Sequence, residues 1–233
     1  MFIKKQIPNL FTLANLFSGC LALFYTFQES FVFAFFFVAL GIFFDFFDGF
    51  FARLLKVESP LGLQLDSLAD MVTSGVVPGF VMYFMMSQVS EFPIYFPFLG
   101  MIIILGSAYR LAKFNIDTRQ TDAFIGLPTP ANALFICSLP LVITESPWPI
   151  LVEILQNGYF LAFTAVLSTY MLNAEIALFS LKIKGFTFKK YQLQIYFLLF
   201  SLVCIFTLKV LAVPFIILNY VLWSLIDGKL IKR

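Results

Sequence analysis

Residues 31–70 read FVFAFFFVALGIFFDFFDGFFARLLKVESPLGLQLDSLAD, and the placing of acid within oil in this stretch decides the fold. Residues 31–53 form an apolar run long enough to cross a bilayer as one helix. Asp45 and Asp48 sit near its end. After a polar break at Lys56, Glu58, Ser59 and Pro60, a second apolar segment carries Asp66 and Asp70. Ser59 suits a helix N-cap and Pro60 the first helical position, so a new helix is expected to begin there. An ionised Asp at the centre of a span costs about 2.5–3.5 kcal/mol even on a lenient insertion scale. Helix-end residues that reach back to the membrane surface would account for one or two such carboxylates. Four at regular spacing require a polar cavity, cationic partners or metal.

The rest of the chain agrees that the solvent is lipid. Of 233 residues, 61% are hydrophobic and 12% charged, with 33 Phe, which is too little polar material to cover a water-soluble core. Spans are expected near 10–27, 31–53, 61–87, 96–113, 129–144, 158–181, 192–208 and 210–227, about eight in an all-α polytopic bundle. The segment around Pro147, Trp148 and Pro149 can hold a short interfacial helix, and the run broken only by Lys209 and Pro214 is either a tight hairpin or one kinked element. With eight spans, every Lys and Arg except Lys209 falls on one side, and Glu29, Glu91, Glu145 and Glu153 fall on the other. The positive-inside rule then puts both termini in the cytoplasm. No small-residue cleavage site follows Lys4 and Lys5, so no cleavable leader is expected. No internal repeat or soluble segment interrupts residues 1–233, which read as a single transmembrane catalytic domain. The net charge of +2 gives no footing for nucleic acid. There is no histidine, and Cys20, Cys137 and Cys204 lie far apart in apolar runs, so zinc sites, thiolate sites and histidine bases are excluded.

Spacing brings the four aspartates together. Asp45, Asp48, Gly49 and Ala52 follow i, i+3, i+4, i+7, and Gly62, Asp66 and Asp70 follow i, i+4, i+8, so each set lies on one helix face. A short turn lets the two faces converge beside a groove of small residues. Small residues also serve close helix packing, and it is the adjacent carboxylates that favour a ligand here. Oxygen donors without His or Cys point to two Mg²⁺ or Mn²⁺ ions. A metal pair about 3.5–4 Å apart can hold the attacking and leaving oxygens of a displacement at phosphorus.

The pattern Asp45-x2-Asp48-Gly49-x2-Ala52-Arg53-x8-Gly62-x3-Asp66-x3-Asp70 resembles the complete motif of the CDP-alcohol phosphotransferase family. The resemblance implies a six-helix core within the bundle, a homodimer, and a site open to the cytoplasmic leaflet of the cell's inner or plasma membrane. It implies that Asp45, Asp48, Asp66 and Asp70 ligate the metals, with Asp70 also the general base. Gly49, Ala52 and Gly62 would admit the cytidine nucleotide, with Arg53 beside it.

Three flanking segments narrow the resemblance: Pro8 to Gly19 (PNLFTLANLFSG), Tyr109 to Asn115 (YRLAKFN) and Gly126 to Ala131 (GLPTPA). They are similar to the serine-using branch of that family in bacteria and archaea, which implies CDP-diacylglycerol and L-serine as substrates. Lys113 departs from the pattern, where Arg is expected; it keeps the charge and loses the bidentate fork. Asn9, Thr12 and Asn15 can offer polar groups to the site or, for Asn9, cap a helix. Arg110 and Lys113 can grip a carboxylate or phosphate or anchor the helix end. Glycerol 3-phosphate, inositol phosphate or an amino alcohol are the competing acceptors, and a phosphorylated one would want a denser basic cluster. A cation transporter would spread its carboxylates through the depth of the membrane.

Overall fold

In lipid the backbone must satisfy its own N–H and C=O groups, and the apolar runs accordingly become helices. The computed structural model describes residues 2–89, 93–117, 123–179 and 192–231. Helices α1 (Phe2–Phe27) and α2 (Phe31–Leu55) form an antiparallel hairpin. Tyr25 stacks on Phe37 with ring centroids 5.5 Å apart, and Phe11 on Phe51 at 5.1 Å. Helix α3 (Pro60–Asp70) runs through a π-helical turn, Met71–Val76, into α4 (Val77–Ser87). A 3₁₀ turn, Phe96–Met101, opens α5 (Ile102–Ile116). Strand β1 (Ala123–Ile125), α6 (Thr129–Glu145), α7 (Pro149–Leu155), α8 (Gly158–Asn173) and β2 (Ala177–Phe179) follow. The chain closes with α9 (Gln192–Leu208) and α10 (Ala212–Ile231).

The eight expected segments each contain a helical arm. Among the described residues five segments are long and apolar enough to cross a membrane, with Gln192–Ile226 counted as one, or six if the bent pair α7–α8 is one span; α6 is a shorter apolar helix. Of the two forms open to the run after residue 192, the hairpin is the one observed. Lys209 takes a left-handed conformation at φ 52°, and α10 folds back so that Phe200 meets both Phe215 and Trp223. The expected topology markers Glu91, Arg119, Lys182, Lys184, Lys189, Lys190, Lys232 and Arg233 lie outside the described residues, as do the side chains of Lys4, Lys5 and Lys229.

Three boundaries differ from expectation. Helix α1 begins at Phe2 rather than near residue 10 and carries Pro8 inside it. The third segment is not one regular helix but has the π-helical turn at its centre. Pro78, just beyond that turn, cannot donate to the carbonyl of Ser74, and its ring crowds the same carbonyl. The segment expected to be helical over 158–181 stops at Asn173, because the corner before α6 takes over its end. There Leu127 N–H donates to Met171 O at 2.8 Å and Gly126 N–H to Ile176 O at 2.9 Å. Gly126 has φ +76°, and a Cβ on it would press 2.5 Å from Leu172 O. The chain beyond then pairs as β2, antiparallel to β1.

The main core joins Val38 of α2, Val77, Val81 and Met82 of α4, Ile103 of α5, Ile136 of α6 and Leu161 of α8. A second cluster holds the C-terminal hairpin onto β2 through Leu178, Phe179, Phe197, Ile217 and Tyr220. Tyr220 OH donates to Phe179 O at 2.9 Å. Large apolar side chains such as Phe17, Phe46, Leu105 and Phe206 face outward, as a lipid-facing surface requires.

Candidate active site

The turn between α2 and α3 sets the geometry. Lys56 takes a left-handed conformation at φ 53°, and Val57 N–H donates back to Ala52 O at 3.0 Å, ending α2. Ser59 Oγ accepts from Gly62 N–H at 3.0 Å, and Pro60 fills the first turn, starting α3 as its residues predict. The two aspartate-bearing faces therefore meet. Asp45, Asp48 and Asp66 each bring a carboxylate oxygen to within 4.8 Å of the others. Asp66 Oδ1 is buried and has no hydrogen-bond partner among the described residues. Asp70 lies one turn further along α3 and is buried.

Helix α1 aims two of these carboxylates. Thr12 Oγ1 donates to Asp48 Oδ2 at 2.7 Å, and Asn15 Nδ2 donates to Asp70 Oδ1 at 3.1 Å. Asn15 is held in turn by Thr73 of the π-helical turn, whose Oγ1 donates to Asn15 O at 3.1 Å. Glycine at position 41 is what lets α2 come this close, since a Cβ there would lie 2.8 Å from Asn15 Oδ1 and 2.7 Å from Thr73 Cγ2. Asn9 does not cap a helix. It lies within α1, and its Nδ2 donates to Gln6 Oε1 at 3.1 Å.

A cavity of about 560 Å³ opens on one side of the carboxylates. Asp48, Gly49, Ala52, Arg53, Gly62 and Asp66 all border it, and so do Asn9 and Thr12 from α1. Its size suits a small-molecule ligand. Arg53 folds back along α2, so that a Cβ on Gly49 would stand 3.3 Å from its Nη1. Arg110 is not among the residues lining this cavity, and it interacts electrostatically with Asp70. It is buried, its Cζ lies 5.8 Å from the Phe114 ring centroid, and its Nε and Nη2 have no hydrogen-bond partner among the described residues. Arg110 is thus not a surface anchor. Lys113 goes elsewhere, its Nζ 3.6 Å from Glu175 Oε1.

The donor set fits a hard divalent cation: converging carboxylates and, among the described residues, no softer ligand and a buried carboxylate oxygen left without a partner. Sequence reasoning missed Thr73, although Pro78 in an otherwise unbroken apolar run was a signal for the irregular turn that carries it.

Fold and site together define a class: a polytopic helical membrane protein with a cluster of converging carboxylates beside a ligand-sized cavity and a buried guanidinium that interacts with one of its aspartates. Residues 5–224 match the CDP-alcohol phosphatidyltransferase family, and the chain belongs to it. It is 30% identical to the CDP-diacylglycerol–serine O-phosphatidyltransferase of Helicobacter pylori over 96% of this chain and 93% of that one. The protein of the same name from Bacillus subtilis is 36% identical over 61% of this chain and 78% of its own. That of Methanocaldococcus jannaschii is 28% identical over 84% of this chain and 79% of its own.

Proposed function

We propose that this chain transfers the phosphatidyl group of CDP-diacylglycerol to L-serine, giving phosphatidylserine and CMP. The observation that carries the proposal is the carboxylate cluster beside a ligand cavity, together with an arginine fork that interacts with Asp70 and has no hydrogen-bond partner among the described residues. The names of the similar proteins support the choice of substrates.

In this reading Asp45, Asp48, Asp66 and Asp70 hold two Mg²⁺ or Mn²⁺ ions. When bound, such ions neutralise charge on the attacking and leaving oxygens of a displacement at phosphorus. Thr12 and Asn15 keep Asp48 and Asp70 in orientation. Gly49, Ala52 and Gly62 give the cytidine nucleotide access to the cavity, and Arg53 lies along its phosphates. Asp70 takes the proton of the serine hydroxyl as that oxygen bonds to the lipid-linked phosphorus. The bond from phosphorus to the CMP oxygen breaks, and CMP leaves. Nε and Nη2 form the guanidinium edge that receives a carboxylate side-on, which suits Arg110 to the serine carboxylate. With Lys113 drawn towards Glu175, Arg110 is the favoured cation of the pair.

A charge-assisted hydrogen bond contributes about 1.5–3 kcal/mol, or roughly ten- to a hundredfold in affinity. Arg110→Ala should raise the KM for serine by that factor and leave the KM for CDP-diacylglycerol unchanged. The deciding assay follows CMP release by purified protein given CDP-diacylglycerol and a panel of acceptors. Serine should far outrun glycerol 3-phosphate and inositol phosphate, and preference for either would overturn the serine assignment.

The site and both termini face the cytoplasm, and the working unit is a homodimer. Reporter tags at each terminus should report the cytoplasmic side, and a tag near Glu153 the opposite side. Termini on different sides would mean an odd number of spans.

A further inference from the structure

Buried hydroxyls in this bundle generally turn back onto their own helix. Ser18 donates to Ala14 O, Thr26 to Ala22 O, Ser138 to Phe135 O and Thr164 to Phe160 O. That is the usual way to satisfy Ser and Thr in a helix. Ser74 and Ser107 break the habit: both are fully buried, and neither Oγ has a partner among the described residues. Asn132 is also fully buried. Its Oδ1 accepts from Ser168 Oγ at 2.6 Å, which leaves Nδ2 without a partner.

These groups lie on elements that pack around the stretch of α5 carrying Arg110. Ser107 stands one turn before Arg110 on α5, and a Cβ on Gly75 of the π-helical turn would lie 3.1 Å from Ser107 Cβ. Ser74 is the neighbour of Gly75. On the other flank of α5, a Cβ on Gly106 would lie 2.7 Å from Thr169 Cγ2, and Thr169 follows Ser168, the partner of Asn132. Helix α6, which carries Asn132, packs on both the π-helical turn and α5. Leaving this many buried polar atoms unpaired costs free energy, and the cost is removed when a polar ligand fills the place.

We propose that Asn132, aimed by Ser168, is a specificity-determining residue of an amino-acid acceptor subsite completed by Ser74, Ser107 and Arg110. The proposal rests on the serine reading above and extends it to residues beyond the aspartate motif. Asn132 Nδ2 joins the Arg110 fork on the acceptor's carboxylate, and the two serine hydroxyls accept from its ammonium group. The acceptor's own hydroxyl is left facing Asp70. Such a subsite selects an α-amino acid and discriminates against an amino alcohol that lacks the carboxylate, because the latter leaves Asn132 and Arg110 unpaired.

The test compares L-serine with serinol, which keeps the ammonium and hydroxyl but has no carboxylate, in CMP release by the full-length protein in lipid nanodiscs. Wild type should prefer serine. Asn132→Asp replaces the donor by an anion and should cut the serine-to-serinol ratio of kcat/KM by about tenfold or more. The KM for CDP-diacylglycerol should stay unchanged. Ser168→Ala, which frees the Asn132 amide to turn, should lower the same ratio by less, and it carries the test if Asn132→Asp does not fold. Equal loss with both acceptors, or an unchanged ratio, would assign Asn132 to packing and overturn the proposal. A wild-type protein that does not use serine would instead remove the reading on which it rests.

Discussion

An Asp66→Asn variant should fold, reach the membrane and turn over substrate at least ~10²-fold more slowly than wild type, because a bound dication contributes several kcal/mol of charge stabilisation. Asparagine has nearly the volume of aspartate, so no cavity opens. What is lost is one of the three carboxylates whose oxygens converge within 4.8 Å. Removing a negative charge from that group relieves repulsion, so the metal-free variant should melt no lower than metal-free wild type. Adding Mg²⁺ or Mn²⁺ should raise the melting temperature of wild type by mass action and do so much less for Asp66→Asn. Chelation should abolish wild-type turnover, and either cation should restore it. Full activity in excess EDTA would sink the metal-assisted mechanism, and an undiminished thermal shift in the variant would remove Asp66 from the ligand set.

Much of this site is legible in the sequence because helical spacing is a strong constraint. The i, i+3 and i, i+4 intervals among Asp45, Asp48, Asp66 and Asp70 leave few ways to arrange the carboxylates once Ser59 and Pro60 start a new helix. Long apolar runs likewise announced most helices. The sequence was silent where structure depends on a neighbour distant in the chain. Nothing local in Thr12 or Asn15 says that one reaches Asp48 and the other Asp70; that follows only from α1 packing against α2 and α3. The end of α8 is set by Gly126 and Leu127, about 45 residues earlier in the chain, which displace the helix into a strand too short to carry a period-2 pattern. Ser74, Ser107 and Asn132 look like ordinary polar residues of membrane helices. Their significance lies in the bonds they do not make, which no spacing can reveal.

The same dependence on α1 makes Gly19 a sensitive position although it carries no functional group. A Cβ at residue 19 would collide with Thr73 Oγ1 and lie 3.0 Å from Thr73 Cα and 3.1 Å from its backbone nitrogen. Two of those atoms are backbone, so a rotamer change cannot make room, and α1 must separate from the π-helical turn. Overpacking of this kind costs about 1–3 kcal/mol. The greater effect falls on the site, because Thr73 fastens Asn15, Asn15 orients Asp70, and Thr12 on the same helix orients Asp48. A shift near 1 Å in reacting groups can reduce rate by about 10²-fold. Gly19→Ala should therefore accumulate in the membrane with a modestly lowered melting temperature and lose about two orders of magnitude in kcat. Cys20→Ala, at the exposed position next along the same helix, should behave as wild type in both measurements. Wild-type kcat in Gly19→Ala would show that α1 can move away without disturbing the carboxylates, and that Thr12 and Asn15 do not orient them.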